Sequence, residues 1–205
     1  NDVFSSESLF LFTFCIGFIL ISCGKSSKEV FRIDSLNDSC WQSSLWISVA
    51  NAPVVKEKVY DGTRAADGTS WFMSTVKNDK KVSRALWMTT GLGVYEIYVN
   101  GKLVGDEILK PGFTHHEKTK LSFTYDVTGC FKTASGDENV LSAQVTPGWW
   151  ADKIITPGGH DGMIGKKCAF RGVLELTYTD GSKELYGTNI EDWKAGIAGP
   201  VTHAA

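Results

Sequence analysis

The stretch Gly91–Thr114, "GLGVYEIYVNGKLVGDEILKPGFT", contains the clearest folding signal in this chain of 205 residues. Through "VYEIYV", Tyr95, Ile97 and Val99 fall on one face of an extended chain, as the period of two in a strand requires. The dipeptide Asn100-Gly101 follows directly and favours a tight turn, because both residues tolerate positive φ. The segment "KLV" then supplies a returning strand. The stretch therefore predicts an antiparallel hairpin.

Similar short segments recur on both sides of this hairpin, separated by Gly, Asp and Pro. A second hairpin is expected across Asp180-Gly181. After residue 22, no segment carries ten or more residues with the apolar spacing of a helix. The pattern predicts an all-β fold, an antiparallel β-sandwich of jelly-roll-like type. The other expected strands are "LWISVA", "WFMSTVKN", "SRALWMTT", "LSFTYDVT", "NVLSAQV" and the two arms of "CAFRGVLELTYTDGSKELYGT".

The charge of the chain is nearly balanced. It contains 21 Lys and Arg residues against 23 Asp and Glu residues. A protein that binds the phosphate backbone of DNA or RNA usually carries a basic face, and a protein held at an anionic membrane by charge needs a polybasic cluster. We therefore predict no nucleic-acid partner.

The N-terminal end has a different composition. Residues 9–22, "LFLFTFCIGFILIS", are uncharged and strongly apolar. This run is shorter than the ~20 apolar residues that span a bilayer, but it has the length of the apolar region of a secretory signal peptide. A buried apolar helix is the alternative. Residues 1–8 contain no Lys or Arg, so we interpret the chain as beginning within a longer gene product.

The run ends at Ser22-Cys23-Gly24, which resembles the lipobox of bacterial lipoproteins. The resemblance implies that residues 1–22 are a lipoprotein signal peptide and that Cys23 is lipidated. Residues 23–40 would then form a polar tether. The expected location is the cell envelope of a Gram-negative bacterium, in the outer membrane or periplasm, with the lipid as the membrane anchor.

Three cysteines follow the predicted anchor: Cys40, Cys130 and Cys168. Their number is odd and no C-x-x-C spacing occurs, so neither a zinc knuckle nor a complete disulfide framework is indicated. One bridge between two of them is compatible with an exported protein, and the sequence leaves the pairing open.

A set of ordered motifs resembles the N-terminal domain of bacterial α-L-rhamnosidases, family 78 of the glycoside hydrolases. The resemblance runs from about Val82 to the last residue and implies that residues 41–205 form one β-sandwich domain. The motifs are "GLGVYEIYVNGKLVGDEILKPGFT", "FTYDVT", "NVLSAQVTPGWWADK" and "AFRGVLELTYTDGSKELYGTNIEDWKAGIAGP". This chain departs from the family pattern at His115-His116 and at Trp149-Trp150, both in expected loops.

In that family the chemistry takes place in a downstream (α/α)6 barrel, where two opposed carboxyl groups act. The resemblance therefore implies a non-catalytic accessory domain with no catalytic residue and no cofactor. Its implied partners are the downstream catalytic domain and a rhamnose-containing oligosaccharide or glycoside. A free-standing carbohydrate-binding module and a structural spacer without ligand are the alternatives.

The segment Trp149-Trp150-Ala151-Asp152-Lys153 is the main candidate for carbohydrate contact. An indole can stack on the C–H face of a sugar while Asp152 and Lys153 hydrogen-bond its hydroxyl groups. Since neighbouring residues of a strand point apart, at most one indole is expected in the core, and the other would face a glycan or the next domain. His160, in a glycine-rich loop, is a further candidate for sugar contact.

A metal site is not predicted. His115, His116 and Glu117 are adjacent, but neighbouring side chains on a strand diverge, and no third ligand stands at a suitable spacing. Adjacent acids such as Glu191-Asp192 are poor candidates for catalysis, because opposed catalytic carboxyl groups come from separate elements.

Overall fold

The computed structural model describes residues 38–50, 58–59, 69–151, 160–161 and 164–197. Almost all regular structure in these residues is β-strand. The strands are β1 (Lys58–Val59), β2 (Ser70–Lys77), β3 (Val82–Leu92), β4 (Val94–Val99), β5 (Lys102–Val104), β6 (Phe123–Asp126), β7 (Glu138–Thr146), β8 (His160–Asp161), β9 (Ala169–Tyr178), β10 (Lys183–Gly187) and β11 (Lys194–Gly196). A single helical turn, α1, spans Gly148–Ala151, and two 3-10 helices span Asp38–Ser43 and Thr128–Cys130.

The strands form an antiparallel β-sandwich, which confirms the predicted fold class. A four-stranded sheet has the order β10-β9-β3-β6, and a five-stranded sheet has the order β11-β2-β7-β4-β5. β1 and β8 form a separate two-residue pair. None of the helices in the described residues is long and apolar enough to cross a membrane.

The predicted hairpin joins β4 to β5. Asn100 and Gly101 have φ of 51° and 75°, the positive values that a two-residue turn of this kind needs. The Asn100 side chain adds long-range bonds: its Nδ2 donates to Asn139 Oδ1 at 2.9 Å, and its Oδ1 accepts from Val140 N at 2.9 Å. The asparagine therefore fixes the turn against β7.

The core between the two sheets is organised around Phe170 of β9, which is 0% exposed. Its ring centroid lies 5.8–6.2 Å from those of four other aromatic rings: Phe72, Trp87, Tyr95 and Trp193. Aliphatic side chains at alternate positions fill the remainder, as at Leu141 and Val145 of β7. Burying a side chain of this size contributes about 1.5–3 kcal/mol, so Phe170 is a principal source of stability.

The outer face of the four-stranded sheet is also covered. The 3-10 helix Asp38–Ser43 packs Cys40 against Leu86, Met88 and Val173. Arg171 of β9 holds this segment. Its guanidinium donates to the carbonyl of Trp41 and to Ser44 Oγ, and it lies 5.1 Å from the Trp41 ring centroid. Because the 3-10 helix begins at Asp38, residues 38–40 of the expected tether belong to the folded body, and residues 23–37 lie outside the described part.

Candidate functional site

The two adjacent tryptophans lie on the helical turn α1 and not on a strand. The turn closes through bonds from Trp150 N and Ala151 N to the carbonyl of Pro147, at 3.2 and 3.1 Å. Consecutive residues of a helix are about 100° apart around its axis, so the alternation expected for a strand does not apply. Both indoles are half-buried, and neither is among the fully buried core residues.

Trp150 is fixed by the segment that precedes β9. Its Nε1 donates to the carbonyl of Lys167 at 2.9 Å, and its own carbonyl accepts from Gly165 N at 2.8 Å. A Cβ at Gly165 would lie 2.0 Å from Trp150 Cε2, so only glycine allows this close approach. Trp150 therefore acts as a structural clamp between two loops.

Trp149 makes a different contact, with the long loop between β5 and β6. The centroid of its ring lies 6.1 Å from that of Phe113, and the two ring planes make an angle of 75°. Phe113 also contacts His116 edge to face, with ring centroids 5.6 Å apart. The ring of His116 in turn contacts that of Trp150, at a centroid distance of 5.9 Å. We call these four residues, Phe113, His116, Trp149 and Trp150, the aromatic cluster. Phe113 is its outermost member, with 61% of its surface exposed.

The two loops meet because both contact the start of β4. The carbonyl of Lys110 accepts from Tyr95 N at 2.8 Å, which holds the β5–β6 loop beside the strand. On the other side, a Cβ on Gly148 would lie 2.4 Å from Val94 Cγ2, and Gly148 has φ +46°. His116 and the pair Trp149-Trp150, which lie in the two stretches that depart from the expected pattern, are thus brought to one place.

His116 is the polar member of the aromatic cluster and is 9% exposed. Its Nδ1 lies 3.5 Å from Thr114 Oγ1, and its Nε2 is buried with no hydrogen-bond partner among the described residues. Burial lowers the pKa of His116, and the positive charge of Lys120 and then His115 lowers it further. The imidazole is therefore held in its neutral form, which suits contact with aromatic rings.

The base of the β5–β6 loop contains a buried lysine that the sequence analysis did not single out. Lys110 is 2% exposed, and its Nζ donates to the carbonyl of Val104 at 3.0 Å and lies 3.8 Å from Glu107 Oε2. It stands 5.1 Å from the ring centroid of Tyr125, whose hydroxyl donates to the same Glu107 oxygen. Burial raises the pKa of Tyr125. The sequence signal that could have indicated this buried pair was the spacing of three positions between Glu107 and Lys110, close to Gly105.

The same loop exposes apolar side chains. Ile108 is 88% exposed and Leu109 is 53% exposed. Together with Phe113 they give the β5–β6 loop an exposed apolar surface, although its base is anchored by charge. Exposed apolar groups of this kind are typical of surfaces that contact another domain or a ligand.

The structure does not describe the side chains of the other predicted site residues. Asp152, Lys153 and Cys23 lie outside the described residues, so their roles stay predictions. His160 is described only through its backbone, which pairs with Val59 in the short β1–β8 ladder. Among the described residues, no group of three or more His, Cys, Asp or Glu side chains is arranged to hold a metal ion.

The three cysteines within the described residues do not form a disulfide with one another. Cys40 is buried in the cluster on the outer face of the four-stranded sheet. Cys130 and Cys168 are half-buried and pack against the main core.

The fold and the aromatic cluster together define a β-sandwich domain with a loop-borne aromatic surface at the end of the five-stranded sheet where β7 ends and β4 begins. The family model described as the α-L-rhamnosidase N-terminal domain matches residues 80–205. The chain belongs to this family.

Relatives with known names agree with this assignment. An α-L-rhamnosidase from Streptomyces avermitilis is 40% identical over 125 residues, which is 61% of this chain and 12% of that protein. One from Formosa agariphila is 27% identical over 189 residues, covering 86% of this chain and 19% of that protein. The chain thus spans less than a fifth of the length of these relatives.

Solved structures show the same fold. The α-L-rhamnosidase of Aspergillus terreus matches with a TM-score of 0.68 at 24% identity, over 82% of this chain and 18% of that one. The Streptomyces avermitilis enzyme, solved in complex with L-rhamnose, matches with a TM-score of 0.55 at 34% identity, over 65% of this chain and 12% of that one.

Proposed function

We propose that this chain is the non-catalytic accessory domain of an exported α-L-rhamnosidase-like glycoside hydrolase, and that it contacts rhamnose-containing glycans through the aromatic cluster. The observation that carries the proposal is the Phe113–Trp149 pair, an aromatic surface built by two loops and open to solvent at Phe113. Sugar rings present C–H faces that pack on such rings. The family assignment supports the choice of rhamnose.

The second part of the proposed role is support of a catalytic domain in the same polypeptide. The relatives are five or more times longer than the matched region, as the coverage of 12–19% indicates. The exposed Ile108 and Leu109 would pack against that domain, since burying them removes apolar surface from water. The charged contacts of Lys110 at the base of the loop would keep this surface in place.

Binding is tested by calorimetric titration of the chain with L-rhamnose and with methyl α-L-rhamnoside. The Phe113→Ala variant is expected to weaken binding about tenfold, the factor that a stacking contact of about 1–1.5 kcal/mol supplies. Ile108→Ala is the matched control, because it removes an exposed apolar side chain from the same loop. Equal affinity of the wild type and Phe113→Ala would refute the sugar contact.

Anchoring is a separate part of the proposal and rests on the sequence of residues 9–24. In a bacterial host that processes lipoproteins, the complete gene product is expected to incorporate labelled fatty acid, and Cys23→Ala is expected to abolish the label. Cys40→Ala is the control, because this buried thiol belongs to the folded body. Labelling that survives Cys23→Ala would contradict the anchor.

A further inference from the structure

A crevice of about 470 Å³ opens at the side of the sandwich, between β2 and β10. β10 is the outermost strand of the four-stranded sheet. β11 pairs with β2 only from Trp71 to Met73, so within the described strands Ser74–Lys77 has no neighbour on that side. The crevice occupies the gap that β11 leaves. Its volume lies in the range of about 300–1,000 Å³ that is usual for small-molecule sites.

The lining of the crevice combines aromatic rings with acceptors of hydrogen bonds. Trp193 and Tyr186 supply the rings, and Asp79, Glu184 and Asp192 supply carboxylates. None of these residues belongs to the aromatic cluster.

Trp193 is held in position from below and from the preceding turn. Its ring lies 5.8 Å from Phe170 in the core. Asn189 fixes the turn before it: Asn189 Oδ1 accepts from Asp192 N at 2.7 Å, and Asn189 Nδ2 donates to Asp192 Oδ2 at 2.9 Å. The indole and the Asp192 carboxylate are therefore ordered without a ligand, which reduces the entropy lost on binding.

Glu184 is ordered in the same way on the opposite wall. The strand register places Glu184 opposite Leu176 and Tyr186 opposite Leu174, two fully buried residues, so both side chains face the interior of the sandwich. Glu184 Oε2 accepts a hydrogen bond from the Tyr178 hydroxyl. Because a carboxylate has about four acceptor positions, Glu184 retains capacity for a ligand.

We propose that this crevice binds a neutral saccharide of one or two units, with a C–H face on Trp193 and hydroxyl groups donating to Glu184 and Asp192. Among the described residues that line the crevice, three carboxylates outnumber one cation, Lys77, so an acidic sugar is disfavoured by charge. This site goes beyond the proposed function, because it shares no residue with the aromatic cluster.

The test follows the indole N–H signals of the ¹⁵N-labelled chain during titration with L-rhamnose, with Trp193, Trp149 and Trp150 assigned by substitution with Phe. The Trp193 signal is expected to shift and to saturate. Asp192→Asn and Glu184→Gln are expected to weaken this response about tenfold, since each removes the charge from a hydrogen bond. Titration with D-galacturonate is expected to give a weaker response than titration with L-rhamnose.

The matched control is Glu191→Gln, which removes the adjacent exposed acid that does not line the crevice. A Trp193 signal that stays fixed would overturn the proposal, even if the Trp149 and Trp150 signals move and the aromatic cluster is upheld. Equal weakening in Glu191→Gln and Asp192→Asn would overturn it as well. A shift at Trp193 alone would support the crevice and count against the cluster, so the two proposals fail separately. Urea unfolding of each variant confirms that the fold is retained.

Discussion

Phe113 and Trp149 lie edge to face, 6.1 Å apart, although 36 positions separate them in the sequence and each belongs to a different loop. The contact depends on the two loops that converge at the start of β4. The rings of His116 and Trp150 make a second edge-to-face contact, with centroids 5.9 Å apart, and His116 is more deeply buried than Phe113. The adjacent tryptophans therefore have different roles. Trp150 connects α1 to residues 165–167 through hydrogen bonds, and Trp149 packs against the exposed ring of Phe113.

Trp150→Phe should destabilise the domain more than Trp149→Phe. The first change removes the hydrogen bond from Nε1 to the carbonyl of Lys167, whereas the structure shows no such bond from Trp149 within its described residues. The expected difference is about 1 kcal/mol in the free energy of unfolding, measured with urea. Equal losses in the two variants would show that Trp150 is not a clamp.

Gly187→Ala should displace the N-terminal segment from the four-stranded sheet. A Cβ at this position would lie 1.8 Å from the carbonyl oxygen of Ser43, which is backbone and cannot turn aside. We expect a loss of about 2 kcal/mol in the free energy of unfolding. Gly129→Ala is the matched control, because a Cβ there meets nothing within 4 Å. An unchanged stability of Gly187→Ala would contradict the packing of residues 38–44.

Arg171→Lys should expose the thiol of Cys40. An ammonium group cannot reproduce the several hydrogen bonds that the guanidinium donates to Trp41 and Ser44. Residues 38–44 should therefore detach from the four-stranded sheet more often. The rate of Cys40 modification by a thiol reagent should rise severalfold, while Cys130 and Cys168 serve as internal references. The control is Arg84→Lys, at an exposed position on β3. A Cys40 rate that Arg171→Lys leaves unchanged would rule out this anchoring role.

Stability should fall in mild acid because of His116. Burial lowers the pKa of His116 in the folded state from its ordinary value of 6.5, so below pH 6.5 the unfolded chain binds more protons than the folded one. The contribution of this residue is complete above pH 6.5 and is lost as the pH falls towards the lowered value. His116→Gln should reduce the acid-dependent loss in urea unfolding between pH 7 and pH 5. His115→Gln, at the exposed neighbour, should retain most of this loss, because burial is the largest cause of the lowered pKa and the charge of His115 the smallest. If the free energy of unfolding of His116→Gln falls with pH as steeply as that of the wild type, the buried neutral imidazole is contradicted.

Much of the sandwich follows from local sequence. The period of two in "VYEIYV" and the positive φ at Asn100-Gly101 led to the hairpin that the structure contains. The second expected hairpin is also present, since β9 and β10 flank Asp180-Gly181. These features depend on residues that are close in sequence, which is why a single sequence reveals them.

The site was less accessible to sequence reasoning. Strand alternation was assumed for Trp149-Trp150, but a helical turn begins at Gly148, directly after Pro147. The contacts of these residues with Phe113 and His116 are non-local, and no periodicity encodes them. The packing of residues 38–44 on the four-stranded sheet was also not predicted. The stretch "DSCWQS" has no strand pattern, and its apolar contacts depend on Arg171, a residue far away in the sequence.

The most direct test of the central claim is kinetic, on the complete gene product with and without Phe113→Ala. If the aromatic cluster contacts the glycan and takes no part in bond cleavage, KM for a rhamnosylated polymer should rise about tenfold. The kcat for a small aryl α-L-rhamnoside should stay at the wild-type value. An unchanged KM on the polymer, or a fall in kcat on the aryl glycoside, would contradict the account.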